Sequence, residues 1–329
     1  MSRVLVTGAS GHLGAALVVA LREDGLDVVG VDRLPAPTTT RVGSIDDAAF
    51  VQDVMQSVDA VVHAATLHKP HVATHTRQEF IDTNLHGTVR LLEAAADGGV
   101  TRFVFTSTTS AFGRALSPPP GSPAAWIDES VVAVPKNIYG VTKTAAEDLC
   151  ELVHRDRGLP VVVLRTSRFF PEADDDAEAR AAWDDDNLKA NEFLYRRVEL
   201  SDAVRAHQRA LERGPALGFD KFIVSATTPL RREDTARLAT DAAGVVRARV
   251  PGVDAVYRER GFRLPTRLDR VYDNAAARRT LGWRPRYGFA EILERVGAGD
   301  AVLGPLAVCI GARGYHREPS EPFAAAPRG

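Results

Sequence analysis

Tyr139 and Lys143 stand four positions apart in the stretch NIYGVTKTAAEDL, residues 137–149. On a helix, residues four apart share one face, so this lysine would lie close to the phenol. A free phenol has a pKa of about 10, and a neighbouring ammonium stabilises the phenolate and lowers that pKa. We therefore expect Tyr139 to act as a general acid and base on a substrate hydroxyl.

A second group should hold the oxygen that reacts. The stretch RFVFTSTTSAFG, residues 102–113, begins as a strand-like run and continues with a series of hydroxyl side chains. Thr108 is the candidate, with Ser107, Thr109 and Ser110 as its neighbours. A loop rich in Ser and Thr is by itself more typical of turn chemistry, so the role of Thr108 depends on what surrounds it.

A glycine pattern near the start of the chain predicts a phosphate cradle. Gly8, Gly11 and Gly14 in VLVTGASGHLG follow a strand-like run and precede a helical one. Glycines let the chain turn tightly and let its backbone approach a pyrophosphate, and the next helix adds free N–H groups and a positive dipole end. This order of elements is typical of dinucleotide-binding domains.

Asp32 and Arg33 bear on which dinucleotide binds. An acid at the end of the second strand, here in VVGVDR, accepts hydrogen bonds from the adenosine ribose and repels a 2′-phosphate. The alternative is an aspartate that caps a turn. Arg33 favours NADP, because an arginine there can pair with a 2′-phosphate. The sequence predicts NAD, with NADP as the less favoured cofactor.

The elements that must position these groups alternate along the first half of the chain. The predicted strands there are Arg3–Thr7, Asp27–Val31, Ala60–Ala64, Arg102–Thr106 and Val161–Arg165, and the predicted helices lie near Leu13–Asp24, Asp47–Gln56, Thr76–Ala96 and Ile138–Arg157. Two more strands are predicted later in the chain, at Lys221–Ser225 and Arg270–Tyr272. This alternation predicts an α/β fold with a doubly wound parallel sheet. Ligands of such sheets bind outside the carboxyl ends of the strands, where the motifs above fall.

The later residues predict a smaller second lobe. Residues 1–170 would form the dinucleotide domain, to which segments near 202–228 and 268–283 return, and residues 171–329 would be mainly the substrate lobe and tail. The last residues, ending AAAPRG, are expected to be disordered. The acid-rich segment 172–186 favours a solvated, mobile loop, because like charges repel; a lid over the substrate or a cation site are the alternatives.

Composition excludes several classes of partner. The formal net charge of −2 gives no broad attraction to nucleic acid or to an anionic membrane. Cys150 and Cys309 form no CxxC pattern, which argues against a disulfide framework or a cysteine-built zinc site and favours a cytoplasmic protein. No apolar run approaches the roughly 20 residues that span a bilayer. The opening MSRVLVTGAS enters a predicted strand at once, so we expect no secretory signal.

Several motifs follow one another in a fixed order along the chain. They are TGASGHLG at 7–14, Asp32, HAAT at 63–66, NLHGT at 84–88, TSTTSAFG at 106–113, YGVTK at 139–143 and RRTLGWRPRYGFAEIL at 278–293. Their order and spacing resemble the extended short-chain dehydrogenase/reductase superfamily, and within it the NAD-dependent epimerase/dehydratase family. The resemblance covers about residues 3–295 and implies a Rossmann-type sheet with a smaller C-terminal α/β substrate lobe.

The resemblance implies a role for each matching residue. Tyr139 would be the catalytic acid and base, Lys143 would bind the nicotinamide ribose and tune the tyrosine, and Thr108 would bind the reacting oxygen. Asn84 would hold an active-site helix and a water on the cofactor side. The predicted cofactor contacts are Gly8, Ser10, Gly11, His12, Leu13, Gly14, Asp32, Arg33, Ser44, Ile45, Ala64, Ala65, Thr66, Asn84, Thr106, Tyr139 and Lys143.

The chain departs from the family pattern at positions that affect the reaction. Sugar 4,6-dehydratases of the family carry an Asp-Glu pair directly after the catalytic threonine, whereas this chain has Thr109 and Ser110. Neither hydroxyl can serve as the acid or base that eliminates water, so epimerisation is favoured. The pair that usually meets adenine reads Ser44-Ile45, which predicts looser or shifted adenine binding.

The substrate side also departs from the family. Arg168 in RTSR stands where the family has an asparagine, which suggests an anionic group on the substrate. The predicted substrate contacts are Lys69, Thr108, Thr109, Arg168 and Arg197, with Arg196 close by. The alternative is that these arginines are solvated and offset the acidic segment.

Three histidines surround Lys69 in the stretch LHKPHVATH, residues 67–75, which follows the predicted strand Ala60–Ala64. His68, His71 and His75 suggest a metal site, but no carboxylate at a matching spacing completes one, and this chemistry needs no metal. We predict no metal.

The leading hypothesis is an NAD-dependent epimerase that acts on a hydroxyl of a sugar or nucleotide sugar through a keto intermediate. The alternatives are a simple NAD(P)-dependent dehydrogenase or reductase and a non-catalytic NAD(P)-sensing regulator. The family resemblance also implies a homodimer formed by two helices of each subunit, here near residues 76–96 and 138–157.

Overall fold

A seven-stranded parallel sheet forms the centre of the protein, which the computed structural model describes over residues 2–314. The strands in this range are β1 (Arg3–Thr7), β2 (Asp27–Asp32), β3 (Arg41–Val42), β4 (Ala60–His63), β5 (Arg102–Thr108), β6 (Ala125–Ile127), β7 (Val161–Thr166), β8 (Phe219–Val224) and β9 (Arg270–Tyr272). The sheet has the order β3-β2-β1-β4-β5-β7-β8, and each neighbouring pair is parallel. The predicted α/β, doubly wound fold is confirmed.

Helices cover both faces of this sheet. The α-helices in residues 2–314 are α1 (His12–Glu23), α2 (Ala48–Val54), α3 (Arg77–Ile81), α4 (Gly87–Asp97), α5 (Ile138–Arg157), α6 (Ala177–Ala182), α7 (Asp185–Glu192), α8 (Leu200–Leu217), α9 (Thr235–Leu238), α10 (Ala242–Arg249), α11 (Val253–Glu259), α12 (Phe289–Gly297) and α13 (Pro305–Ile310). The apolar faces of α1 and α8 share one core cluster, and those of α2, α4 and α5 share another.

The first strand shows why these strands read as continuous apolar runs. Val4 and Val6 lie in the cluster with α1 and α8, whereas Leu5 points to the opposite face and lies in the other cluster. All three side chains are at most 2% exposed. Because successive side chains of a strand alternate between faces, a sheet covered on both sides needs apolar residues at every position.

The predicted helix at Thr76–Ala96 is wrong in one respect. The chain there forms α3, a π-helical turn at Asp82–His86, and α4. A π turn adds a residue to the helical repeat and is frequent at functional sites. Here it carries Asn84, whose buried amide makes hydrogen bonds to neighbouring segments.

The C-terminal half contains its own core. A third apolar cluster joins residues of α7 and of α10 to α12, and it includes Phe193, Leu238 and Phe289. Strand β9, predicted at Arg270–Tyr272, pairs with β6 in a separate two-stranded parallel sheet. The domain boundary near residue 170 stays a prediction.

The acid-rich segment contains two short helices. Asp176 accepts hydrogen bonds from the Glu178 and Ala179 backbone at the start of α6, and Asp184 accepts one from Asn187 at the start of α7. Aspartate is a preferred N-cap because its carboxylate satisfies free N–H groups and faces the positive end of the helix. Part of this acidity therefore serves helix initiation.

The last residues of the chain, which the sequence predicts to be disordered, lie outside the described range. Within residues 2–314, every helix is too short or too polar to cross a membrane.

Gly14 of α1 packs closely against the backbone of Gly8, in the turn between β1 and α1, and substitution of Gly14 tests this packing. A methyl group at Gly14 would overlap the carbonyl oxygen of Gly8, whereas one at Gly297, near the end of α12, would make ordinary contact with Val256 at 3.5 Å. We expect Gly14→Ala to lower the free energy of unfolding by about 3 kcal/mol, because the obstacle is backbone. Gly297→Ala should leave that energy unchanged or raise it by less than about 1 kcal/mol. Urea unfolding of both variants checks this, and equal stabilities would contradict the packing described.

Candidate active site

A continuous cleft of about 760 Å³ runs across the carboxyl ends of the central strands. The predicted site residues that line it are Gly8, Ser10, Gly11, His12, Leu13, Gly14, Asp32, Arg33, Ser44, Ile45, Ala64, Ala65, Thr66, Lys69, Thr106, Thr108, Thr109, Tyr139 and Arg168. The sheet order reverses at β1, which pairs with β2 on one side and β4 on the other. A crevice at such a switch point is the expected ligand site of an open α/β sheet.

The glycine turn after β1 is held in a conformation that needs glycine. Gly8 has φ of 76°, and a methyl group there would lie 2.8 Å from the Ala65 nitrogen. The Gly11 N–H donates to the Gly8 carbonyl at 3.0 Å, and α1 begins at the next residue. A bare backbone turn below a helix N-terminus fits a phosphate group.

Asp32 braces this turn from the end of β2. Its carboxylate accepts hydrogen bonds from the Ser10 N–H at 3.0 Å and the Leu34 N–H at 3.1 Å. The turn-capping alternative is therefore realised, while the side chain also lines the cleft. The two functions are compatible, because a carboxylate has about four acceptor positions.

Tyr139 and Thr108 meet in the same cleft from two elements. Tyr139 lies in the first turn of α5, where the Asn137 side chain accepts from the Gly140 N–H at 3.0 Å. Thr108 ends β5, and its Oγ1 accepts from the Ser110 N–H at 3.0 Å. Burial raises the pKa of Tyr139 to about 12, and a hydrogen bond with the Thr108 side chain opposes that rise.

Lys143 is buried in the interior and does not reach the cleft surface. It is 2% exposed and does not line the cleft; its Nζ donates to the Thr106 carbonyl at 2.6 Å and lies 4.1 Å from the centre of the Phe105 ring. Burial lowers the pKa of Lys143 to about 7, while the Glu147 carboxylate opposes this. The expected lowering of the phenol pKa is not found in this structure, because burial dominates both groups; the role of Lys143 toward the phenol stays a prediction.

A buried ion pair one turn beyond Lys143 was missed in the sequence. The Arg165 guanidinium donates to both Glu147 oxygens, through Nη2 to Oε2 at 2.7 Å and through Nε to Oε1 at 3.1 Å, and the Ser107 hydroxyl donates to the same carboxylate at 2.5 Å. These contacts join β5, α5 and β7 beneath the cleft. The spacing of Lys143 and Glu147, four residues apart on one helix face, is the signal that could have indicated it.

Asn84 is buried and holds three segments together without lining the cleft. Its Nδ2 donates to the Leu67 carbonyl at 2.9 Å and to Thr142 Oγ1 at 3.0 Å. Its Oδ1 accepts from the Leu67 N–H at 2.8 Å and from the Thr66 hydroxyl at 3.0 Å. The amide thereby ties the loop after β4 to α5.

The cationic residues predicted to contact substrate are paired with acids of this chain. Lys69 Nζ lies 2.7 Å from Asp175, and Arg168 Nη1 lies 3.3 Å from Asp174. Arg196, which lines the cleft, lies 3.2 Å from Asp174. The Asp174 side chain is only 6% exposed, so the expected solvated loop does not describe this part of the acidic segment.

Arg197 lies in the interior rather than in the cleft, and its predicted contact with substrate stays a prediction. It is 0% exposed and absent from the cleft lining, because its guanidinium is bound by Glu192 at 2.7 Å and by the Phe170 carbonyl. Its neighbour Arg196 reaches the cleft instead.

Two further cations line the cleft and were missed. Lys136 donates to the Ser117 hydroxyl at 2.9 Å, and Arg270 donates to the Leu116 carbonyl at 3.3 Å. Among residues 2–314, neither forms an ion pair, and the buried Nε of Arg270 has no hydrogen-bond partner. Burial and the neighbouring Arg270 and Arg114 charges lower the pKa of Lys136. Nothing in the local spacing signals that β9 brings Arg270 to this site.

The three histidines line the cleft, and their rings meet edge to face. The ring centres of His68 and His71 are 4.5 Å apart, and those of His71 and His75 are 5.0 Å apart. Within the described part of the chain, no group of three His, Cys, Asp or Glu side chains is arranged to hold a metal ion.

The sequence of this chain is similar to those of known sugar-nucleotide epimerases and dehydratases. A model of the NAD dependent epimerase/dehydratase family matches residues 4–216. A UDP-glucose 4-epimerase from Rhizobium meliloti is 28% identical over 333 residues, covering 89% of this chain and 95% of its own. A dTDP-glucose 4,6-dehydratase from Streptomyces antibioticus is 31% identical over 328 residues, covering 89% of this chain and 90% of its own.

Two further similarities concern one part of the sequence and the fold. A 3-beta-hydroxysteroid dehydrogenase from Mycolicibacterium neoaurum is 37% identical over 120 residues, which is 33% of this chain and 33% of that protein. The crystal structure of a short-chain dehydrogenase/reductase superfamily protein from Agrobacterium tumefaciens, with bound NAD, aligns with a TM-score of 0.63 and 24% identity, covering 90% of this chain and 96% of that one.

Lys143 gives the site a measurable pH dependence. Its pKa is about 7 in the folded protein against 10.5 for an ordinary lysine, so between these values the unfolded chain binds one more proton. The cost of burying the charge is therefore full below pH 7 and disappears as the pH rises. We expect Lys143→Met to stabilise the protein relative to wild type near pH 6.5 and to lose about 3 kcal/mol of that advantage by pH 10.

Urea unfolding across this pH range measures the effect. Lys221→Met, at a side chain that is 23% exposed, controls for the loss of one positive charge. A stability difference between Lys143→Met and wild type that does not change with pH would mean that Lys143 keeps an ordinary affinity for its proton.

Proposed function

This chain belongs to the NAD-dependent epimerase/dehydratase family, and from that membership we propose that it epimerises a hydroxyl-bearing carbon of a sugar or nucleotide sugar through a keto intermediate. The observation that carries the proposal is the convergence of Tyr139 and Thr108 on the cleft that also contains the glycine turn. A proton-transfer group, a hydrogen-bonding hydroxyl and a dinucleotide cradle in one cleft fit hydroxyl oxidation and keto reduction.

The residues of the cleft fit a dinucleotide along its length. The turn at Gly8 and Gly11 would hold the pyrophosphate, Asp32 the adenosine ribose, and Ser44 and Ile45 the adenine. NAD, when bound, supplies the hydride acceptor and donor for the reacting carbon. The preference for NAD over NADP rests on Asp32, whose negative charge would repel a 2′-phosphate.

Tyr139 would move the proton that accompanies hydride transfer. Its raised pKa keeps the phenol protonated at neutral pH, which suits return of a proton to the keto oxygen. The opposite step needs the phenolate to be stabilised, and the Thr108 side chain and a charged Lys143 are the chain's means for this. Since Lys143 has a pKa of about 7, its contribution should strengthen as the pH falls toward that value.

Two features favour an epimerase and an acidic or phosphorylated substrate. Thr109 and Ser110 line the cleft where a dehydratase would need an acid and a base, and hydroxyls cannot fill that role. Lys136 and Arg270 line the same cleft and form no ion pair among the described residues, and the Asp269 carboxylate that acts on Lys136 from a distance is paired with Arg267. Their donors suit an oxyanion of the substrate, whereas Lys69 and Arg168 are already paired.

A simple NAD(P)-dependent dehydrogenase or reductase is the second candidate. The similarity over 120 residues to a 3-beta-hydroxysteroid dehydrogenase favours it, since that relative is named as a dehydrogenase. A non-catalytic sensor is the third, and retention of Tyr139 and Thr108 in the cleft speaks against it. Cytoplasmic location stays a prediction.

The proposed homodimer rests on α4 and α5, which contact each other on one side of the sheet. The outer face of α5 exposes Val141 at 49% and Leu152 at 38%. Apolar side chains exposed on a helix pair of this kind suit pairing with the same face of a second copy.

Replacement of Tyr139 tests the assigned chemistry. We expect Tyr139→Phe to lower kcat for sugar epimerisation by about 1,000-fold, because the proton-transfer group is lost, while bound NAD per subunit stays unchanged. Tyr287→Phe removes a hydroxyl outside the cleft and should leave kcat near wild type. Full activity of Tyr139→Phe would overturn the proposal.

The products distinguish the three candidate functions. With UDP-glucose, UDP-glucuronate and dTDP-glucose as test substrates, we expect a change of configuration without net NADH formation and without a 4-keto-6-deoxy product. Denatured protein should release about one NAD per chain if the cofactor stays bound through the cycle. Net NADH production would favour the dehydrogenase, and formation of the keto-deoxy sugar would show that other groups replace the Asp-Glu pair.

A further inference from the structure

The end of the described chain returns to the phosphate cradle at its beginning. Helix α13 packs against α1 and α8, and the four residues after it, 311–314, cross to the N-terminus of α1. We name residues 311–314 the strap. The Arg313 N–H lies 2.9 Å from His12 Nε2 and 3.1 Å from Glu172 Oε1, and the Gly314 N–H donates to the same carboxylate oxygen at 3.2 Å.

The anchor points of the strap belong to the cradle itself. His12 is the first residue of α1, is 7% exposed and lines the cleft. Its Nε2 also lies 2.9 Å from Glu172 Oε1. Glu172 Oε1 accepts from two strap N–H groups and faces the His12 ring, whereas the buried Oε2 has no hydrogen-bond partner. Burial raises the pKa of Glu172, but the contacts with His12 and the strap outweigh it and lower that pKa to about 2.

Polar atoms without partners gather at this place. Ser10 is 8% exposed and lines the cleft, yet its buried hydroxyl has no hydrogen-bond partner. The same holds for the buried Nε of Arg313, which lines the cleft from the strap side. A buried polar atom left unpaired costs about 1–3 kcal/mol, so such atoms commonly mark a ligand position.

We propose that the strap completes the phosphate site, with Arg313 and Ser10 binding the pyrophosphate of the dinucleotide opposite the N-terminus of α1. An arginine donor, a hydroxyl and free helix N–H groups form a strong oxyanion site. The inference rests on the cofactor of the proposed function and adds a binding residue from the other end of the chain. It also gives a physical reason for slow cofactor release, which a cycle that oxidises and then reduces one substrate requires.

If the strap had only a structural role, substitution of the Arg313 side chain would give a different result from the one expected for phosphate binding. If it only fastened α13 to α1, the backbone contacts of Arg313 and Gly314 would suffice, and the Arg313 side chain would be replaceable without effect on nucleotide affinity. The side chain and the backbone can therefore be separated by substitution of Arg313 alone.

The test measures nucleotide binding by the full-length protein after removal of any bound nucleotide. Calorimetry with NAD, ADP-ribose and adenosine should show that Arg313→Gln raises Kd for NAD and ADP-ribose by about tenfold, as expected for one charge-assisted hydrogen bond. Adenosine, which has no phosphate, should bind as in wild type. Arg313→Lys should recover part of the loss, and Arg279→Gln, at an exposed arginine outside the cleft, should have no effect.

Two further measurements on Arg313→Gln are the rate of NAD release and the stability toward urea. Stopped-flow displacement should show faster NAD release from Arg313→Gln, whereas its urea midpoint should match that of wild type. Unchanged affinity for ADP-ribose, or equal weakening of adenosine, would overturn the strap proposal. If Arg313→Gln weakens NAD as expected but no sugar is epimerised, the strap stands and the proposed reaction falls; if wild type binds no dinucleotide, both fall.

Discussion

The reversal of strand order at β1 is the constraint on which the site depends. Because β2 and β4 lie on opposite sides of β1, the loops that leave their carboxyl ends diverge and open a crevice. The glycine turn fills the floor of that crevice, and its backbone passes so close to Ala65 that a side chain at Gly8 has no room. Strand β5, which pairs with β4, ends with Thr108 at the same edge of the sheet, and the first turn of α5 contains Tyr139. The chemistry of the cleft thus follows from the order of a few parallel strands.

Burial sets the electrostatic character of the groups around the cleft. The same removal from water raises the pKa of Tyr139 and lowers that of Lys143, so both groups favour their neutral forms. Against this, Glu147 is held as a buried carboxylate by Arg165 and by Ser107. A buried pair of this kind contributes more to geometry than to stability, since desolvation offsets most of its attraction. Its effect here is to fix α5 against β5 and β7, which also fixes the position of Tyr139 in the first turn of α5.

The sequence predicted the parallel sheet well, because local pattern decides strands buried on both faces. Arg3–Thr7 and Ile138–Arg157 have the same bounds in sequence and structure, and nearly all predicted cofactor contacts line one cleft. It failed where side-chain direction depends on distant segments. Lys143 and Arg197 lie in the right elements but face the interior, because a carbonyl and a carboxylate elsewhere in the chain bind them. The π turn at Asn84 and the position of Arg270 likewise depend on tertiary contacts that helical or strand periodicity does not encode.

The ion pairs between Asp174, Asp175 and the cations of the cleft have a consequence for how a ligand arrives. Carboxylates of the chain stand beside Lys69, Arg168 and Arg196 and act as built-in counterions. That side of the entrance is therefore close to electroneutral, and an approaching anion meets little long-range attraction there. Capture would be governed by diffusion and by fit at short range, so the association rate constant would vary little with ionic strength, in contrast to enzymes that steer charged substrates by an open positive field.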